Sequence, residues 1–195
     1  MQFNKTRVRR LNQVEEIKNT GPILYWMNRD HRVHDNWAVV YGMHLAQKYD
    51  RKFGIVFSLR KSLREHFGTR RMLDFMLGGL EEVESEAQKL GIGFEFLMQD
   101  PKNGVPKFVE DQQVAALICD FSPLKTPQRW KEHFVKTIEN IPILEVDTHN
   151  IIPCWITSDK QEYAARTIRP KIHKKLDEYL EDFPGHQSRG TVWDS

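Results

Sequence analysis

The chain has 195 residues, 39% of them apolar, which is enough to bury one sizeable core and short for two ordinary domains. Its 29 basic and 27 acidic residues leave a formal charge of +2, so bulk electrostatics predict neither tight nucleic-acid binding nor a strongly acidic partner, and any such binding must be local. Cys119 and Cys154 stand far apart in apolar surroundings without a disulfide framework or metal-ligand spacing, and no window is long and apolar enough to span a bilayer; a soluble, cytoplasmic protein with no membrane partner is expected.

Residues 1–20 carry Arg7, Arg9 and Arg10 and read as an N-terminal extension. Ile23–Met27 is the first of five short runs rich in β-branched and aromatic residues, the signature of buried strands. Trp37, Val40, Tyr41 and Leu45 then recur at helical spacing, and Asp35 ahead of them is expected as an N-cap or first-turn acid. A second strand over 54–59 leads to the clearest helix, in which Met72, Phe75, Met76, Leu80, Val83, Ala87 and Leu90 keep three- and four-residue steps up to Gly91. A strand over 94–98, a short helix over 105–112 and a strand over 114–119 follow. Next come a helix through Trp130, Phe134 and Ile138 and a last strand, Ile143–Val146. Beyond Asn150 the pattern turns irregular over 151–159. It becomes helical again, breaks at Arg169-Pro170, and resumes through Ile172, Leu176, Tyr179 and Phe183. Residues 151–184 therefore read as a linker and helical segment, and 185–195 as a flexible tail.

Buried strands separated by amphipathic helices need crossover connections. The expected fold over residues 21–150 is α/β: a doubly wound, Rossmann-like five-stranded parallel sheet with helices on both faces. In such a sheet the loops at the carboxyl ends of the strands converge on one edge, where ligands bind. Those segments are Met27 to Asp30, Ser58 to Arg60, Gln99-Asp100, Asp120 to Leu124 and Asp147 to Asn150. No glycine-rich phosphate loop is present, because Arg29 and Asp30 stand where a dinucleotide fingerprint places glycines; a standard NAD site is excluded. Asp120 with Ser122-Pro123 admits two readings, a ligand contact or a strand-ending turn. Arg29 and Arg32 beside Asp30 at a ligand edge point to binding rather than to solvated charge, whereas Met72, Phe75 and Met76 read as core.

The stretch Leu24-Tyr25-Trp26-Met27-Asn28-Arg29-Asp30, continued by Arg32-Val33 and Asp35-Asn36-Trp37-Ala38, resembles the opening of class II cyclobutane pyrimidine dimer photolyases. The resemblance runs on in order through Phe75-Met76-Leu77 with Gly79-Leu80, Asp120-Phe121-Ser122-Pro123-Leu124, Asp147 with His149-Asn150, and Pro153-Cys154-Trp155. It continues through Ser158 to Tyr163 and Thr167 to Lys171, covering residues 21–183. It implies an N-terminal α/β domain whose strand-end crevice holds a light-harvesting antenna pigment: a deazaflavin, a folate or a flavin. Photolyases of this class carry FAD in a following all-helical domain, which flips the damaged dinucleotide out of the duplex and splits the dimer by electron transfer from the excited reduced flavin. Nothing in these 195 residues resembles that domain, so the resemblance implies no repair activity for this chain alone. It implies FAD only together with the helical domain. The implied partners are that helical FAD-binding domain or chain and, through it, damaged DNA, with self-association where the domain face is left exposed.

A planar tricyclic pigment needs apolar walls and a few fixed polar groups. Met27, Leu59, Phe121 and Leu124 are the candidate walls, and Arg29, Asp30, Ser58, Asp120, Ser122 and Asn150 the candidate polar contacts. Two further readings stand beside this one. The chain is alternatively a free-standing nucleotide- or flavin-binding module derived from the same fold. Nucleic-acid contact through Arg7, Arg9 and Arg10 or through Lys171, Lys174 and Lys175 is the third reading, which the acids Asp177, Glu178, Glu181 and Asp182 weigh against.

Overall fold

The computed structural model describes residues 3–59 and 69–185. Arg60 of the expected strand-end set, and the expected tail beyond Gly185, lie outside the described residues. In chain order the elements are β1 (Val8–Arg10), β2 (Ile23–Met27), α1 (Trp37–Tyr49), β3 (Phe53–Ser58), α2 (Arg70–Lys89) and β4 (Gly93–Leu97). Then come α3 (Pro101–Asp111), β5 (Ala116–Asp120), α4 (Lys125–Thr137), β6 (Ile143–Val146), α5 (Cys154–Thr157) and α6 (Ala165–Tyr179).

The strands form one sheet in the order β1-β6-β5-β2-β3-β4. The five expected strands all pair in parallel, Ile23 opposite both Phe53 and Ala116, Gly54 opposite Gly93, and Leu117 opposite Ile143. Side chains alternate across the sheet. Ile23, Tyr25, Met27, Ile55 and Ile118 pack under Val40 of α1 and Val83 and Ala87 of α2. Leu24, Trp26, Val56, Leu117 and Cys119 pack under Val105 and Val109 of α3 and Phe134 of α4. This two-sided burial explains why β2 and β5 read as unbroken apolar runs.

Four expectations are corrected. Met72 and Phe75, expected as core together with Met76, are exposed on α2, and of the three only Met76 packs against Phe57, Leu59 and Leu80. The sheet has six described strands rather than five: Val8–Arg10, within the expected N-terminal extension, adds an antiparallel edge with Val8 opposite Val146 and Arg9 opposite Glu145. One valine and two arginines carry no strand periodicity, and the free backbone edge of β6 is what recruits them. The cap of α1 is Asn36, whose Oδ1 accepts from Ala38 N and Val39 N, while Asp35 takes a left-handed φ of 51° one residue earlier. Helix α6 also runs unbroken through Pro170, which removes one backbone donor without ending the helix. The clearest predicted helix ends as expected: Gly91 turns left-handed at φ 73° and Ile92 N donates back to Ala87 O at 2.9 Å.

Candidate functional site

The chain order reverses between β2 and β5, which places the loop after β2 (residues 28–36) beside the loop after β5 (residues 121–124). The last residue of β5 closes this point. Asp120 is buried, and its Oδ2 accepts from the backbone N–H groups of Asn28 (3.1 Å), Arg29 (2.7 Å) and Asp30 (3.2 Å) and from the Tyr25 hydroxyl (3.1 Å). Three successive amides converging on one carboxylate form an anion nest filled from within. Burial pushes the Asp120 carboxyl above its ordinary value, and the amide and phenol donors pull it back only in part. Burial, and then the neighbouring Asp120, hold the Tyr25 phenol well above its own ordinary value. The fully buried Asn36 amide ties down the other end of the loop by donating to Arg32 O (3.0 Å) and Asp30 O (3.3 Å).

Two more buried aspartates hold the neighbouring loop. Asp147, directly after β6, accepts from His149 N (3.2 Å), Asn150 N (3.1 Å), the Asn150 amide (3.0 Å) and Cys154 N (2.9 Å), so it shapes residues 147–154. The Asp30 Oδ1 meets His149 Nδ1 at 3.1 Å and bridges the two loops. Burial raises the Asp30 carboxyl. The nearby Thr148 hydroxyl, His149 and Arg32 outweigh that and leave it below its ordinary value, although Thr148 misses aligned hydrogen-bond geometry.

Beside these loops lies a groove of about 640 Å³, walled by Phe121, Ile152 and Trp155 and by Ile168, Ile172 and Leu176 of α6. Phe121 and Trp155 meet edge to face, 5.8 Å between centroids. Arg9 of β1 lies 4.7 Å from the Trp155 ring centre and is fixed there by the buried Glu145 at 2.6 Å. Glu145 is shared with the buried Lys131. His149 and Asn150 form the polar rim, and Lys160 lines the far end. Cys154 also lines the groove, where burial and the nearby Asp147 push its thiol to about 11, which keeps it protonated near neutral pH. Across the 149–151 loop a second cavity of about 440 Å³ is lined by Arg7, Arg32, Trp37, Thr148, Tyr179 and Phe183.

Of the ten nominated residues, Phe121 and Asn150 line the groove. Asp120 fills the nest, Asp30 holds His149, and Arg29 donates its amide to Asp120 with its guanidinium 3.4 Å from Phe121 O. Met27 is wholly buried in the core, so it offers no wall. Ser58 donates to Gln99 O at 2.7 Å, and Leu59 packs with Leu80, both on the β3–β4 side away from the groove. Ser122 is buried and accepts from Leu124 N in the turn that opens α4, and Leu124 is 66% exposed. The turn reading describes Ser122, while Asp120 fits neither reading: it bonds the amides of the loop after β2.

Arg9, Ile152, Trp155 and the α6 face were not nominated. Trp155 lies in the Pro153-Cys154-Trp155 motif and α6 in a helical pattern, whereas Arg9 is marked only by the basic run Arg7, Arg9 and Arg10. The basic runs have internal work. Arg7 is buried and bonded to Ile151 O, Tyr179 O and Glu181, Arg9 to Glu145, and Lys171 to Glu162.

The family model for DNA photolyase matches residues 23–187. The chain belongs to the DNA photolyase family. The deoxyribodipyrimidine photo-lyase of Potorous tridactylus is 43% identical over 93% of this chain and 34% of its own length. That of Arabidopsis thaliana is 39% identical over 90% of this chain and 35% of its own, and that of Oryza sativa subsp. japonica 32% identical over 91% and 38%. The chain thus spans about a third of the length of these curated relatives. The match to the photolyase model takes in the whole parallel sheet, the groove loops and α6, while β1 and its Arg9 lie before it. No described helix of this photolyase-family chain is long and apolar enough to cross a membrane.

Proposed function

We propose that this chain is the N-terminal domain of a class II DNA photolyase, that its groove receives an antenna pigment, and that its strand-end edge abuts the flavin-binding helical part. The groove carries this reading. It lies beside the carboxyl-end loops after β5 and β6, it is large enough for a tricyclic ring system, and its aromatic and aliphatic walls are flanked by polar groups from residues 149–150 and 157–162. Phe121 and Trp155 would grip the ring system, Asn150 and His149 would meet its polar edge, and Arg9 would hold Trp155 in place. A bound pigment would supply light absorption and energy transfer, and the chain's own residues would orient it and shield it from water. A deazaflavin, a folate and a flavin all satisfy these dimensions.

The distribution of exposed apolar side chains supports the partner. Met72 and Phe75 in the first turns of α2, Met98 after β4, Leu124 after β5 and Ile151 after β6 are all exposed on segments leaving the carboxyl ends of strands. Tyr163 and Leu180 flank α6 and are exposed as well. Among the described residues, the loops at the opposite edge, such as 50–52 and 112–115, expose no large apolar side chain. A one-sided apolar surface is what a covering domain leaves behind, and it weighs against a free-standing module. Repair of dimers in damaged DNA would require the flavin-binding part. Free cysteines and the absence of a described spanning helix fit a cytoplasmic setting.

Titrating the chain with a deazaflavin, a folate and a flavin, while following pigment absorbance and Tm, tests the reading. One of them is expected to raise Tm by mass action. No shift with any of the three rejects the antenna role.

A further inference from the structure

Rossmann-type sheets ordinarily offer the backbone amides of the first βα turn at the switch point to a phosphate. Here those amides, on Asn28, Arg29 and Asp30, already hold the Asp120 carboxylate. The amides of His149, Asn150 and Cys154 are likewise held by Asp147. Asp30 adds a third buried carboxylate beside these two, at the ends of the adjacent strands β2, β5 and β6. The remaining unpartnered buried atoms at this edge, Asp120 Oδ1, Asp30 Oδ2 and Thr148 Oγ1, are oxygens, and Thr148 lines the 440 Å³ cavity. A phosphate entering here would have to displace Asp120 from its nest and leave a buried, unpaired carboxylate next to a second anion.

We propose that Asp120 is a built-in anion that closes the switch point to phosphate, so that the strand-end edge selects unphosphorylated, hydrogen-donating ligands. Its consequence for pigment choice rests on the antenna reading, while the closed nest itself does not. The arrangement makes Asp120 the residue that sets ligand class: with its side chain removed, the three amides form a vacant site of the kind phosphates and small carboxylates occupy.

Formate and inorganic phosphate, at ionic strength matched with chloride, are the probes, with Tm and the amide resonances of residues 28–30 as readouts. The intact chain and D120N, which keeps an acceptor in the nest, are expected to show no anion-specific change. D120G is expected to be stabilised by formate or phosphate with an affinity at least about tenfold above that of the intact chain, about 1.4 kcal/mol. If D120G is unfolded without added anion, recovery of the folded signal on adding formate is the same result. No rescue of D120G by either anion overturns the proposal, and so do phosphate-induced shifts at residues 28–30 of the intact chain. Riboflavin and riboflavin 5′-phosphate separate the two readings. Tighter binding of the phosphorylated form to the intact chain overturns this proposal. Failure of both to bind counts against a flavin in the groove and leaves the anion experiment to decide on Asp120.

Discussion

Asp120 and Phe121 are neighbours in sequence and belong to opposite kinds of surface. Asp120 turns into the sheet's switch point, where it meets four donors and is closed off from solvent. Phe121 turns out against Trp155 to form the apolar end of an open groove. Alternation at the end of a strand puts consecutive side chains on opposite sides, so one step along the chain separates a residue that builds the edge from one that a ligand can touch. A strand-end position therefore says little about ligand contact until the direction of its side chain is known.

The largest effect that would break this comparison is expected from D120A. It leaves three buried amides and a buried phenol without their acceptor, and the loss should reach about 3–5 kcal/mol, since each unsatisfied group costs about 1–3 kcal/mol and the loop relaxes in part. Chemical denaturation reads it; a loss under about 1 kcal/mol would show that the nest does not hold the edge together. W155A should reverse the pattern: it removes half-exposed aromatic area and should cost only about 1–2 kcal/mol of stability, yet weaken pigment binding at least about tenfold. F121A truncates a buried ring and should cost about 3 kcal/mol while weakening binding as much. A pigment that binds F121A and W155A as it binds the parent does not sit in this groove.

R9Q sharpens the groove side further. Arg9 is half exposed, and Glu145 keeps Lys131, so stability should change by about 1 kcal/mol or less while Trp155 fluorescence responds to the lost cation. Unchanged fluorescence would separate Arg9 from the groove wall. The smallest effect concerns the floor of the groove. Lys171, Thr167 and Ser158 hold the Glu162 carboxyl down at about 2, against an ordinary 4.5. Because the folded value is depressed, this clip on α6 is present above the ordinary value and is lost as pH falls through the folded one. Amide protection in α6, with the intrinsic pH dependence of exchange divided out, should fall between those two values in the parent and fall less in E162Q.

Much of the architecture was legible in the residues. β2 and β6 fall where their apolar runs placed them, and α2 ends at its glycine, because double-sided burial and helical periodicity leave local marks. β1 left none. Three residues with two arginines form a strand only because β6 offers an unpaired edge, with Arg9 and its partner Glu145 lying 136 positions apart in sequence. Asp35 and Asn36 are both good caps by residue type, and the choice between them follows from the side-chain bonds that Asn36 makes to the Tyr25 hydroxyl and to Arg32 O. The site divides in the same way. Asn150 and Phe121 were found from the edge alone, whereas Met27, Ser58 and Leu59 share that edge and point elsewhere.

By itself, the sequence determined the five parallel strands and the helices between them, the family and which loop tips share an edge, since these follow from short-range periodicity and from motifs that each lie within a few residues. Only the tertiary structure decided that Asp120 bonds the loop after β2 while Asp147 bonds its own, that Arg9 reaches Trp155, and that α6 closes a groove rather than packing on the sheet. Those outcomes depend on side-chain direction and on contacts between residues tens of positions apart, for which the order of residues along the chain carries no local sign.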